Sequence, residues 1–145
     1  MFEFHGWATI EVDDTDDPDL SVIRARKEKA VEQLQIALTV ADDDFSWFEL
    51  RTAGNGLTVL SAQGLRNHRY EPVIDLFRWV ARNLPFAYGL LYVRDDEDRG
   101  DRGSDNSNCF RVWRIARGMF EEMTDPFLSP CIPTVEPPWE WASDN

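Results

Sequence analysis

The stretch FSWFELRTAGNGLTVLSA (Phe45–Ala62) reads as two strands joined by a tight turn. Phe45–Thr52 and Leu57–Ala62 are rich in aromatic and β-branched residues. The AGNG between them carries Gly54, Asn55 and Gly56, the residue types that accept positive φ in a hairpin turn. A hairpin is antiparallel by construction, so the sheet that contains it is predicted to be mainly antiparallel. Upstream, Ile23, Lys27, Ala30, Leu34, Ala37, Leu38 and Ala41 recur at three- and four-residue steps, the stripe of an amphipathic helix over Pro18–Ala41. Pro18 suits the first turn, and Asp16, Asp17 and Asp19 suit the positive end of the helix dipole. Lys27 interrupts the stripe, but its stem can lie along it. Farther back, Met1–Val12 alternates. Phe2, Phe4, Ala8, Ile10 and Val12 share one face, and Glu3, His5, Trp7, Thr9 and Glu11 share the other. Gly6 breaks the apolar face, which predicts a bulge or close packing.

Downstream of the hairpin, QGLRNHRYEP reads as a loop. Val73, Ile74, Phe77, Val80, Ala81 and Leu84 then mark a second helix over Glu71–Asn83, stopped by Pro85. Phe86–Arg94 and Cys109–Ala116 read as strands. The segment from Gly118 holds Pro126, Pro130, Pro133, Pro137 and Pro138 and is expected to wrap the surface in extended form. The predicted order is β-α-β-β-α-β-β. Two helices on one face of a mainly antiparallel sheet make an α+β two-layer sandwich with a proline-rich C-terminal tail. No repeat or linker divides residues 1–145, so one domain is expected.

Composition narrows the function. The 145 residues include 15 Lys+Arg and 27 Asp+Glu, a net charge of −12. Such a surface repels phosphate backbones, which argues against nucleic-acid binding, and it attracts basic proteins. With 43% hydrophobic residues the chain is too apolar to be disordered. MFEFHGWATIEV has no basic region and no signal-peptide core, and no segment reaches the ~20 apolar residues of a membrane span. Two cysteines, Cys109 and Cys131, make neither a disulfide framework nor a metal pattern. A cytoplasmic protein with no membrane partner is expected. The pattern favours no particular oligomeric state.

Catalytic and cofactor motifs fail specific tests. There is no phosphate-binding glycine loop. An EF-hand register starting at Asp96 puts Gly100 at position 5 and Ser107 at position 12, where acids are required, so no metal is expected. His5, His68 and the two thiols assemble no nucleophile–base–orienter set, so neither an enzyme nor a cofactor is expected. An enzyme built on Cys109 or His68 would lose its function when both are replaced.

What stands out is surface. YVRDDEDRGDRGSDNSNCF (Tyr92–Phe110) places Asp95, Asp96, Glu97, Asp98 and Asp101 in a dense, loose acidic loop, with Arg99 and Arg102 inside it. Asp42, Asp43 and Asp44 form a second knot at a helix C-terminus, where acids oppose the dipole. Asp13, Asp14, Asp16 and Asp17 form a third. Trp7 lies on the face away from the helices; Trp47 or Phe48, and Trp113 or Val112, must face the same way. Trp79 falls off its helix's stripe, but a tryptophan there is long enough to lodge against the sheet edge. The tail, with Trp139 and Trp141, or a partner would cover an aromatic outer face. A small-molecule-binding or regulatory domain using that face is the alternative to a protein partner.

FEFHGWATI (Phe2–Ile10), YGLLYVR (Tyr88–Arg94), FRVWRIARG (Phe110–Gly118) and the closing SPCIPTVEPPWE (Ser129–Glu140) together resemble the immunity protein 7 family of bacterial polymorphic toxin systems. The resemblance covers most of the chain, and His5-Gly6-Trp7 is its most specific element. It implies an inhibitor that binds and neutralises a cognate toxin domain without turnover. Many such toxins act on nucleic acids through basic surfaces, which an acidic inhibitor would complement. The residue assignments rest on surface physics: Asp95, Asp96, Glu97, Asp98, Asp101, Asp42, Asp43, Asp44 and Trp7 are the candidate partner-binding residues.

Overall fold

The computed structural model describes residues 1–12, 19–101, 103–129 and 131. The described elements are β1 (Phe2–Thr9), α1 (Leu20–Ala41), β2 (Ser46–Thr52), β3 (Thr58–Arg66), α2 (Glu71–Asn83), β4 (Tyr88–Asp95), β5 (Phe110–Ala116) and β6 (Met119–Thr124). The strands form one antiparallel sheet in the order β2-β3-β1-β4-β5-β6. Fold class and helix positions are as expected from the sequence.

Register assigns each residue to a face. One cross-strand row runs Phe48–Ala62–Gly6–Leu91–Trp113–Glu122, and the next runs Ser46–Gly64–Phe4–Val93–Arg111–Thr124. These rows face the helices, and their central members Phe4, Ala62, Leu91 and Val93 are buried. The α2 helix buries Val73, Ile74, Leu76, Phe77, Val80 and Ala81 against them, whereas α1 buries only Ala30, Leu34 and Ala41. Gly6 has a packing reason: a Cβ there would lie 2.6 Å from the tip of the Phe77 ring. Lys27, the break in the α1 stripe, extends its ammonium to the Gly56 carbonyl at 2.7 Å and to Glu11 at 3.7 Å, tying the helix to the hairpin turn. At the start of α1 the Asp19 carboxylate accepts the Ser21 N–H at 2.9 Å; the Ser21 hydroxyl and N–H hold its pKa below the ordinary value. Pro18 and the acids Asp13, Asp14, Asp16 and Asp17 lie outside the described residues.

Several expectations are corrected. QGLR is strand, not loop: β3 runs on to Arg66 so that it pairs with β1 along its whole length. Gly64 marks a close approach, since a Cβ there would fall 2.4 Å from the Phe4 ring. A sixth strand, β6, occupies the start of what read as tail, paired to β5 through a turn in which Arg117 and Gly118 have φ of 54° and 74°. Positive φ at both central residues is the backbone of a tight hairpin turn. The expectation that one of Trp113 and Val112 faces outward holds: Val112 does, while Trp113 points to the helices and stacks on Phe120 (centroids 5.8 Å apart). Trp79 lies in the groove between α1 and α2 with Ile36, Val40 and Leu76, not at the sheet edge.

Candidate partner-binding surface

The register brings two of the acidic segments to one end of the sheet. Phe2 at the start of β1 is opposite Arg66 at the end of β3 and Asp95 at the end of β4, while Ser46 at the start of β2 is opposite Gly64. The Asp42–Asp44 turn into β2 and the Asp95–Asp101 loop out of β4 therefore share an end. Trp7, opposite Ser61 and Leu90, lies apart on the outer face. It is 40% exposed and meets Tyr88 edge-on at 6.1 Å.

The loop between β4 and β5 spends many of its acids on itself. Asp95 is the last residue of β4 and is buried; its carboxylate accepts the Glu97 N–H at 3.0 Å and lies 4.0 Å from the Arg69 guanidinium. Asp96 receives the Met1 ammonium, and that hydrogen bond holds its pKa below the ordinary value. Its backbone N–H donates to the Met1 carbonyl at 3.1 Å. Glu97 lies 3.2 Å from His68 Nδ1. Asp98 accepts from the Gly100 N–H at 2.8 Å and from Asn106 Nδ2 at 3.3 Å. Asp105 accepts the Ser107 N–H and pairs with Arg99 at 3.3 Å; the Ser107 bonds lead in lowering its pKa. Asp101 is exposed, and its backbone carbonyl accepts the Ser104 hydroxyl at 3.0 Å. The loop that read as loose is thus a set of bonded turns. Arg102 lies outside the described residues.

The turn after α1 divides its three acids. Asp43 pairs with Arg66 and accepts the Phe45 N–H at 3.0 Å. Burial pushes its pKa up, but the Arg66 bond and the Phe45 N–H outweigh burial and hold it below the ordinary value. Arg66 lies over the Tyr70 ring at 3.8 Å, and the Tyr70 hydroxyl donates to the last carbonyl of α1, Ala41, at 2.9 Å. This cation and donor offset the acids that oppose the helix dipole. Asp42 and Asp44 remain exposed. Beside them are apolar side chains that sequence reasoning missed as site residues: Phe45 is 71% exposed and Leu65 57%, next to Trp47 at 51%. Leu65 could be recognised only once β3 was extended through it, because strand parity then points it outward.

The remaining chemistry-bearing residues are dispersed. His5 Nε2 lies 2.9 Å from Glu3, and His68 is exposed. Burial pushes the Cys131 thiol up, so it stays protonated at neutral pH, beside Arg94 of the outer face. The Cys131 N–H donates to the Asn108 carbonyl at 3.0 Å, so the chain beyond β6 returns to the start of β5. The expected cover by Trp139, Trp141 and the tail prolines from Pro130 onward lies outside the described residues. Among the described residues no three or more His, Cys, Asp or Glu are grouped to hold a metal ion. Among them, too, no helix is long and apolar enough to cross a membrane.

A family model described as immunity protein 7 matches residues 1–137. No curated protein and no solved structure matches the chain. The family match runs from β1 past β6, taking in both helices and the acidic end of the sheet; the chain therefore belongs to the immunity protein 7 family, a family of immunity proteins against toxins.

Proposed function

We propose that this protein neutralises one cognate toxin domain by binding it stoichiometrically and covering a basic surface, acting in the cytoplasm without turnover. The observation that carries the charge part of this reading is the convergence of two acidic segments on one end of a chain with a net charge of −12. Asp42, Asp44, Glu97 and Asp101 present their carboxylates to solvent there. Asp95, Asp96, Asp98 and Asp43 act mainly by shaping the turns that hold those charges in place. A toxin that grips nucleic acid needs a positive substrate surface, and an acidic inhibitor meets that surface with complementary potential. Occlusion requires no catalytic group in the inhibitor. The test is co-expression with a candidate toxin domain taken from the neighbouring genes. Growth should be restored, and calorimetry with a catalytically inactive toxin should give one inhibitor per toxin. Growth arrest that persists despite full expression of the folded inhibitor would overturn the reading.

A further inference from the structure

The outer face of the sheet carries two separate groups of exposed aromatic and apolar side chains, and they differ in their surroundings. Trp7 and Tyr88 form one group. The row through Trp7 continues Leu90–Arg114–Glu121, and Arg114 and Glu121 neutralise each other at 2.7 Å. The second group lies at the corner where α1 runs into β2. Met1, Phe45, Trp47 and Leu65, all more than 45% exposed, line one groove together with Asp44 and Gln63. The Arg66 guanidinium lies over the Phe45 ring at 5.6 Å, but among the described residues no such contact engages Trp47, and its inward neighbour Phe48 already fills the helix side by stacking on Phe4 at 6.1 Å. Glu3 and His5 in the groove lie 2.9 Å apart and offset each other, which leaves Asp44 as the unpaired charge of its lining, with Asp42 two residues before it in the chain. Among the described residues, Asp42 and Asp44 have no ion-pair partner, and the nearby guanidinium of Arg66 is neutralised by Asp43. Among those residues β2 pairs only with β3, so no other strand closes this side of the groove.

An apolar, aromatic centre inside a charged rim is the anatomy of a protein interface whose affinity sits in a few anchors. The sign of the rim selects the occupant. We infer that the Phe45–Trp47–Leu65 corner is the docking point of a basic protein partner, which inserts a bulky apolar side chain and lays lysine or arginine against Asp42 and Asp44. This deepens the toxin reading and rests on it. In this arrangement Trp47 and Leu65 hold the complex together, while the two aspartates speed its formation. The candidate Trp7 lies outside the docking point.

The probe is a catalytically inactive form of the toxin domain identified by that co-expression, titrated into the full chain and into variants whose melting temperatures match the unsubstituted protein. Trp47→Ala is expected to weaken binding about 30-fold or more, the size of an interface anchor. Leu65→Ser serves as a second, independent truncation of the same centre. Asp42→Asn with Asp44→Asn is expected to slow association more than it speeds dissociation. Ile36→Ala and Val40→Ala, in the groove between the helices, should stay within about twofold. Binding unchanged by both Trp47→Ala and Leu65→Ser overturns the corner while leaving the toxin reading intact. So does a loss confined to Ile36 and Val40. A folded, unsubstituted protein that does not bind the toxin overturns both.

Discussion

Single residues carry much of this fold's specificity, and Gly6 shows how. In the His5-Gly6-Trp7 run the histidine and tryptophan face outward, and the glycine lets α2 approach the sheet. A methyl group at Gly6 would sit 2.6 Å from Phe77 Cζ and 2.9 Å from a Leu91 methyl. Gly6→Ala gains ~0.4–1 kcal/mol through the unfolded chain but forces an overpacking cost of ~1–3 kcal/mol, so the net effect is a loss of stability. Combining it with Phe77→Leu, which shortens the offending ring, should give a double variant less destabilised than the sum of the two. Strict additivity in denaturant titrations would show that the two positions do not touch. Asp43 gives a pH signature. Its folded pKa lies below the unfolded value of ~3.9, so its contribution is complete above that value and is lost as pH falls through the lower folded pKa. Asp43→Asn should cost ~0.5–1 kcal/mol at pH 7, the scale of a partly exposed pair. The gap should narrow only below about pH 4; denaturation of both proteins at pH 7 and pH 3 measures it.

At the scale of elements, β6 shows where sequence reading stopped and why. Its hairpin turn places Arg117 at φ 54°, a position that glycine and asparagine occupy at little cost. Arg117→Asn should therefore stabilise the protein by ~0.5–1 kcal/mol, seen as a melting temperature about 2–4 °C higher. An unchanged melting temperature would mean that the arginine stem makes compensating contacts. That same arginine hid the strand. Asn-Gly before MFEEMT would have announced a hairpin, whereas Arg-Gly carries half the signal and the prolines beyond it suggested an extended tail. The end of β3 was hidden in a related way. Gln63-Gly64 reads as a turn, but Gly64 is glycine because the Phe4 ring lies over it. The elements that were legible, β1, both helices, the hairpin, β4 and β5, are those whose own residues mark them, by periodicity or by an apolar run. The elements that were not are defined by a neighbour: β6 by β5, and the end of β3 by β1.

For the molecule as a whole, the acidic segments were legible as runs, but their roles were not. The groups that hold these acids are distant in sequence: Arg66 lies 23 residues from Asp43, and Met1 lies 95 from Asp96. Only the strand order brings the two segments to one end. Pairing there removes local charge without changing the total of −12, so the long-range field survives while the short-range contacts are few. This division predicts the kinetics of toxin binding. The field acts during approach, over distances comparable with the Debye length, which is ~30 Å at 0.01 M salt and ~3 Å at 1 M. The apolar corner acts after contact, at distances salt does not screen. Raising salt from 0.01 M to 1 M should therefore slow association at least tenfold and leave dissociation within about threefold. Stopped-flow mixing with the inactive toxin domain separates the two rates. If salt instead accelerates dissociation and leaves association alone, the bound state is held by charge pairs in contact. Asp42, Asp44, Glu97 and Asp101, rather than Trp47 and Leu65, would then carry the affinity.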